Sequence, residues 1–339
     1  MSSWKLALVV ACVASLLSGC GASGQPQASD PLEQIPAQGG LRDKIADAQE
    51  VTARDFPAPK GRSMKQLARS FGARQDKIAL ASSVFVAGSS NRLAFGAIDD
   101  EGQLVFGKSA VYVADSAGDK ARGPYPAPAD PLVTEPAFRS KQAATEADPF
   151  AAVYAAEVPF KRRGNHVVLT VTESGDDFLA ATGAVVVRTP AQDEVPAVGE
   201  RAPEVKTDTL SSAGGNVTAI DTREPPSDMH ERSFDEVVGR RPVALLFATP
   251  QLCQSRVCGP VVDVALQLKR NYGDRVEFIH QEVYRDNDPN KGVRDPLRQF
   301  NLPTEPWLFV VNRKGEVTAR LEGSFGLTSF EQALLTGLR

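Results

Sequence analysis

The spacing of apolar residues changes once along this chain, near residues 189–205, and that change limits the folds open to it. Up to Arg188 the runs KIALASSVFVAG, NRLAFGAIDDEGQLVFGKSAVYVA and AVYAAEVPFKRRGNHVVLTVTESGDDFLAATGAVVVR alternate and are rich in Val, Phe and Ala. Turn formers punctuate them at Gly88-Ser89-Ser90-Asn91, Asp99-Asp100-Glu101-Gly102 and Ser174-Gly175-Asp176-Asp177. Short alternating runs at this spacing predict an antiparallel β-sandwich over residues 77–190. The Pro-rich GPYPAPADPLVTEP interrupts them and predicts a long surface loop. A lone His166 at the start of a strand predicts an exposed or hydrogen-bonded ring rather than a metal ligand.

TPAQDEVPAVGERAPEV reads as a linker, and beyond it strands and helices alternate over 191–339. Ser233-Phe234-Asp235-Glu236 has the spacing of a capping box, so a short helix should run toward Gly239. VALLF is wholly apolar and suits a strand covered on both faces. A helix through VVDVALQLKRNYG, the strand RVEFIHQEV, a helix near DPLRQFN, the strands WLFVV and EVTARLEG around the turn NRKG, and a last helix SFEQALLTGL complete an α/β layer domain. QEVYRDNDPNKGVRD predicts a solvated loop bordering the cysteine face.

At 339 residues the chain suits two domains plus connectors. Residues 20–76 make a tether with one short helix, RSMKQLARSFG. A net charge of -4 without a concentrated basic face argues against nucleic acid as a partner.

Lys5, the apolar run Leu6 to Leu17 and Leu17-Ser18-Gly19-Cys20 resemble a bacterial lipoprotein signal. About a dozen apolar residues are too few to span a bilayer, which needs roughly twenty. The resemblance implies removal of residues 1–19, lipidation of Cys20, and an extracytoplasmic protein tethered to the membrane by its lipid. Cys12 would then be lost and Cys20 blocked, leaving Cys253 and Cys258 as the free thiols of the mature chain, in a compartment where thiols tend to pair.

Residues 77–188 resemble, by texture, the immunoglobulin-like or fibronectin-like accessory sandwiches of secreted bacterial proteins, through NRLAFGAIDDEGQLV and VYAAEVPFKRRGNHVVLTV. Residues 196–339 resemble the redoxin branch of the thioredoxin superfamily. Val198-Gly199-Glu200-Arg201-Ala202-Pro203 looks like its VGxxAPxF motif, VALLF leads into a cysteine-bearing loop, and Thr304-Glu305-Pro306-Trp307 looks like the segment of its cis-proline. Pro303 competes for that place, but the spacing to Gly315 favours Pro306.

The resemblance implies thiol–disulfide exchange with protein or small-molecule thiols and disulfides, carried by Cys253, Cys258 and Pro306, with no cofactor and no metal. Two registers are open. One equates Cys258-Gly259-Pro260 with the start of a CGPC motif, but Val261 then replaces the second cysteine. The favoured one aligns Phe247 and Pro260-Val261-Val262-Asp263, making Pro260 the helix-kinking proline and Cys253 the attacking thiol, with Cys258 further into the helix. Inside one helix an i to i+5 pair is too widely spaced for a disulfide, so Cys253 must precede the helix. Arg256 would add positive charge beside the pair, and Glu305 would oppose thiolate formation.

The CxxxxC spacing and the lack of a buried acid in VALLF keep a second possibility open, a binding or assembly module whose disulfide is a staple. Others are a copper carrier using both thiols and His280, and a peroxidase with Thr249 four residues before Cys253. His280 is expected as a strand residue beside the core.

Overall fold

The computed structural model describes residues 31–35, 40–75, 77–144, 151–253 and 257–339; the signal-like segment, Cys20 and Arg256 lie outside them. The alternating first half closes into two sheets. One has the order β1 (Ala79–Leu80), β3 (Ser90–Gly96), β7 (Ala152–Pro159), β6 (Ala129–Pro131). The other runs β2 (Phe85–Val86), β9 (Asp177–Arg188), β8 (Gly164–Ser174), β4 (Ser109–Ala114), β5 (Arg122–Pro126). Leu93 and Phe95 of β3, Tyr154 of β7, Val111 and Val113 of β4 and Val185 of β9 meet in one buried cluster, the inner faces of the two sheets. Pairing is antiparallel as expected, except that β2 runs parallel to β9.

Helix α1 (Leu41–Gln49) buries Leu41, Ile45 and Ala48 in that same cluster. Helix α2 (Met64–Ser70) begins with a Ser63/Gln66 capping box and packs Met64 and Leu67 on Tyr112, Leu169 and Val171 at the outer face of the second sheet. Strand β4 is therefore buried on both sides along its whole length.

The Pro-rich stretch expected as a surface loop instead supplies β5 and β6. Both are edge strands, β5 paired with β4 and β6 with β7, and an edge tolerates proline because its missing N–H would have faced no neighbour. The chain crosses from one sheet to the other between Pro126 and Ala129.

The second half has the element order read from the sequence: α3 (Phe234–Val237), β10 (Val243–Phe247), α4 (Cys258–Tyr272), β11 (Glu277–Gln281), α5 (Asp295–Gln299), β12 (Trp307–Val311), β13 (Val317–Glu322) and α6 (Leu327–Gly337). The sheet order is β11-β10-β12-β13, with β10 parallel to β11 and antiparallel to β12, and β12 antiparallel to β13. The Ser233/Glu236 capping box is formed, and the helix stops at Val237, two residues before Gly239. Two-residue periodicity sorts the side chains by face. Leu245, Phe247, Phe309 and Val311 meet Phe234, Leu297 and Phe300 on one face. Ala244, Leu246, Leu308 and Val310 meet Val261, Leu268, Phe330 and Leu334 of α4 and α6 on the other, in a cluster continuous with the sandwich core.

Polar ties fix this contact between the halves. The buried Asp130 carboxylate accepts from the amides of Gly326, Thr328 and Ser329 at 2.7, 3.0 and 3.3 Å, satisfying donors that the start of α6 leaves unpaired. Asp263 of α4 accepts from Arg223 Nε at 2.8 Å and from the Ser140 amide and hydroxyl at 3.1 and 3.0 Å. At Gly259 an added Cβ would lie 2.5 Å from Gln142 Cβ, so the start of α4 needs glycine for this close approach. Among the described residues no helix is long and apolar enough to cross a membrane.

Candidate functional site

Strand β10 ends at Phe247, and the chain turns through Thr249-Pro250-Gln251 before α4 begins. Cys253 lies in that turn, its amide donating to Thr249 O at 3.1 Å, and Cys258 is the first residue of α4. This corrects two expectations of the favoured register. Cys258 sits at the helix start rather than further in, and Pro260 falls in the first turn, where no intrahelical partner is needed for the N–H it lacks. The requirement that Cys253 precede the helix is met.

Cys253 and Cys258 are 8% and 0% exposed, and they contact each other side chain to side chain. Burial, the hydrogen bond that the Cys258 thiol donates to the Cys253 sulfur and the Cys253 charge push the Cys258 thiol well above its ordinary range, against a lowering contact from the Thr249 backbone. The less buried Cys253 is thus the thiol better placed to meet a substrate. Glu305 lies close enough to couple to both thiols. Its own carboxyl is raised by burial, by Cys253 and by Glu282. The Glu305-Pro306 bond is cis as expected, and Pro303 is not among the cis prolines of the described residues.

A cavity of about 680 Å³, within the size range of small-molecule sites, opens between the sandwich and the cis-proline segment; Val257 and Glu305 line it, and neither cysteine does. It is walled on the sandwich side by Leu80, Phe85 and Val185, and on the thiol side by Val257, Thr304 and Glu305. Glu322 holds the seam, accepting from the Ser83 amide and hydroxyl at 2.8 Å each and from the Thr304 hydroxyl at 3.1 Å.

The loop expected to be solvated begins with a buried segment. Gln281 and Glu282 are 0% exposed, and Glu282 accepts from the Thr222 amide and hydroxyl at 2.9 and 2.8 Å and from the Val283 amide at 2.9 Å. The Thr222 hydroxyl in turn accepts from the Gln251 amide at 3.2 Å, linking Glu282 to the cysteine turn. The sequence signal is a run of three polar residues, His280-Gln281-Glu282, between the apolar Phe278-Ile279 and Val283.

His280 is the buried strand residue expected, but it does not join the cysteines in a copper set. Its Nε2 lies 3.0 Å from Ala248 O and its Nδ1 3.5 Å from Asp221 Oδ2, so both ring nitrogens are turned to other partners. His230 Nε2 lies 3.1 Å from the same oxygen. Burial alone would raise the Asp221 carboxyl, but His280 and His230 outweigh it and hold the group well below the carboxylate range. The same burial pulls His280 down, yet Asp221 wins and its pKa is raised; His230 stays lowered, chiefly by burial. His166 is buried rather than exposed, with Nε2 2.8 Å from Arg162 O and Nδ1 3.3 Å from Asp115. Thr249 is buried, and its hydroxyl has no hydrogen-bond partner among the described residues.

No protein-family model matches the chain, and no curated protein matches it either. Among solved structures it is similar to a thiol:disulfide interchange protein described as DsbE from Chlorobium tepidum, at 15% identity and a TM-score of 0.31, over 42% of this chain and 99% of that one. A thioredoxin family protein of Chlorobium tepidum TLS gives 14% identity and a TM-score of 0.29, over 43% and 100%. CopC from Methylosinus trichosporium OB3b gives 15% and 0.18, over 33% and 95%. At these TM-scores the likeness carries no argument; the strand order, the cis Glu305-Pro306 bond and Cys258 at the start of α4 are features of this chain itself.

Proposed function

We propose that the protein is a thiol–disulfide exchange protein, with Cys253 as attacking thiol and Cys258 as resolving thiol. The observation that carries this is the side-chain contact of Cys253, in the turn before α4, with Cys258 at the start of α4, close to Glu305 of the cis-proline segment. Acting as a reductant, the Cys253 thiolate attacks one sulfur of a substrate disulfide and expels the other as thiolate. Cys258 then loses its proton, to Glu305 as the nearby base, and attacks Cys253 Sγ. The second substrate sulfur leaves as thiol, and a Cys253–Cys258 disulfide remains; two electrons have passed to the substrate. Oxidation of a dithiol substrate is the reverse. The apolar cleft wall suits an extended peptide with apolar side chains. The immunoglobulin-like sandwich contributes that wall, and Cys20 carries the lipid that holds the protein at the extracytoplasmic membrane surface.

A second function is favoured by the depth of both thiols, since buried cysteines are commonly inert. It makes the protein a binding or assembly module stapled by these cysteines. Turnover of a small aromatic disulfide separates the two. Exchange requires that Cys253→Ser abolish turnover and that Cys258→Ser accumulate a mixed disulfide at Cys253. Unchanged behaviour of both variants establishes the module.

A further inference from the structure

The segment from Thr207 to Arg232 contains one short 3-10 turn, Val217–Ala219, and no sheet strand, yet several of its polar side chains are fully buried. Asp221 and His230 from this segment converge with His280 of β11, and one ligand-capable atom from each lies within 4.8 Å of the others. All three residues are buried, at 1%, 3% and 0% exposure.

The hydrogen bonds around the cluster set its chemistry. Ala248 O can only accept, so the His280 Nε2 facing it at 3.0 Å carries the proton. With the ring neutral Nδ1 is a bare lone pair; in the protonated form that Asp221 favours, Nδ1–H faces the carboxylate, and a proton takes the place a metal cation would hold. The neutral Nδ1 has no hydrogen-bond partner, and it points at a carboxylate oxygen 3.5 Å away. Two acceptors facing each other in a dry interior repel unless a cation lies between them. His230 Nε2 approaches the same oxygen at 3.1 Å. Three ligands bound to zinc at 2.0–2.1 Å in tetrahedral geometry sit about 3.3 Å apart, which these separations bracket. A histidine that binds metal through one nitrogen characteristically donates the other N–H to a backbone carbonyl, as His280 does to Ala248. Ser227, whose amide donates to Asp221 Oδ2 at 2.7 Å, carries a buried hydroxyl with no hydrogen-bond partner among the described residues.

We propose that Asp221, His230 and His280 bind one divalent transition-metal cation of zinc type, which pins the irregular 207–232 segment to β11. Two imidazoles and a carboxylate form a nitrogen and oxygen set suited to zinc and its neighbours, distinct from the soft sulfur set of the cysteines. The site stands apart from the exchange chemistry and does not depend on it.

The test uses the full chain with Cys253→Ser and Cys258→Ser, so that no thiol competes, stripped with chelator and titrated with Zn²⁺ by calorimetry and Co²⁺ by absorbance. One cation per chain is expected. The thermal midpoint should rise with Zn²⁺ and fall back with chelator, and the His230 and His280 ring-nitrogen resonances should move to the positions of metal-bound imidazole. His230→Gln should weaken binding by ~100-fold or more, since even outer partners of a metal site are worth 10–100-fold. Absence of binding, with His280 giving imidazolium signals at neutral pH, would show that a proton alone bridges the cluster and overturn the proposal. So would binding that survives His230→Gln. Because the resonances are read in a chain that keeps all three ligands, failure of the glutamine variant to fold does not rescue the proposal.

Discussion

Two buried polar sites share the end of strand β10, and they solve opposite electrostatic problems. The Thr249 backbone contacts Cys258, while Ala248 O, one residue earlier, receives His280. On the thiol side burial, the neighbouring sulfur and Glu305 all disfavour negative charge, so Cys258 is held protonated until a base removes its proton. On the imidazole side the Asp221 charge is supported by two rings and by the amides of Arg223 and Ser227 at 2.8 and 2.7 Å. One site adjoins Glu305, which lines a cavity, and keeps its groups unsettled. The other is enclosed and ties loop to sheet. The difference teaches that burial by itself predicts neither reactivity nor inertness; what decides is whether the buried charge has partners.

The largest expected effect breaks the supported site. Asp221→Asn leaves two imidazoles and two amides facing a neutral group, and chemical denaturation should register a loss of about 3–5 kcal/mol, the usual cost of removing one partner from a buried charged pair. Alkylation of Cys253 in the folded variant should stay within about threefold of the parent, since the two sites are separately held. A large change in thiol rate with little loss of stability would mean the sites are one.

Asp263 is a buried carboxylate whose partners do not outweigh burial. Burial raises Asp263 to about 6 from 3.8, against Arg223 and Ser140. Between these values the folded state holds more protons than the unfolded, so stability falls as pH rises through that window, by ~3 kcal/mol in all. Asp263→Asn cannot titrate, and denaturation at pH 4 and pH 7 should show it gaining on the parent by about that amount at the higher pH. A parent that instead gains on the variant would mean that Arg223 holds the carboxylate charged.

Smaller effects sharpen the thiol side. Timed alkylation should find Cys253 in Cys258→Ser at least about tenfold faster than Cys258 in Cys253→Ser, because only the former is partly exposed. Equal rates would remove the division into attacking and resolving thiol. Glu305→Gln deletes a neighbouring negative charge and should speed Cys253 alkylation at pH 7 by roughly threefold, with the rate profile displaced to lower pH. A slower variant would identify Glu305 as a base that the thiol requires.

Elements whose apolar period was clear were legible in the sequence. VALLF, RVEFIHQEV and WLFVV became β10, β11 and β12, and the Ser233/Glu236 box capped α3. Composition misled at GPYPAPADPLVTEP, because proline excludes a central strand but not an edge one, and edge position is a property of the sheet. At the cysteine pair, sequence put Cys253 ahead of the helix, but the packing of the helix start, where Gly259 closes on Gln142, is a contact across more than a hundred residues that no local pattern shows. Asp221, His230 and Arg223 left no signal, since they come from a segment without periodicity and gain meaning only beside His280 and Asp263.

The central claim is that Cys253 and Cys258 form a working couple, and its most direct test is the equilibrium of their disulfide with glutathione or dithiothreitol buffers of known potential. The account predicts one intramolecular disulfide with a potential between about −180 and −270 mV, where exchange proteins operate. A potential below about −300 mV, or no disulfide across the whole range, would contradict it and leave the pair as a staple or as two inert core thiols.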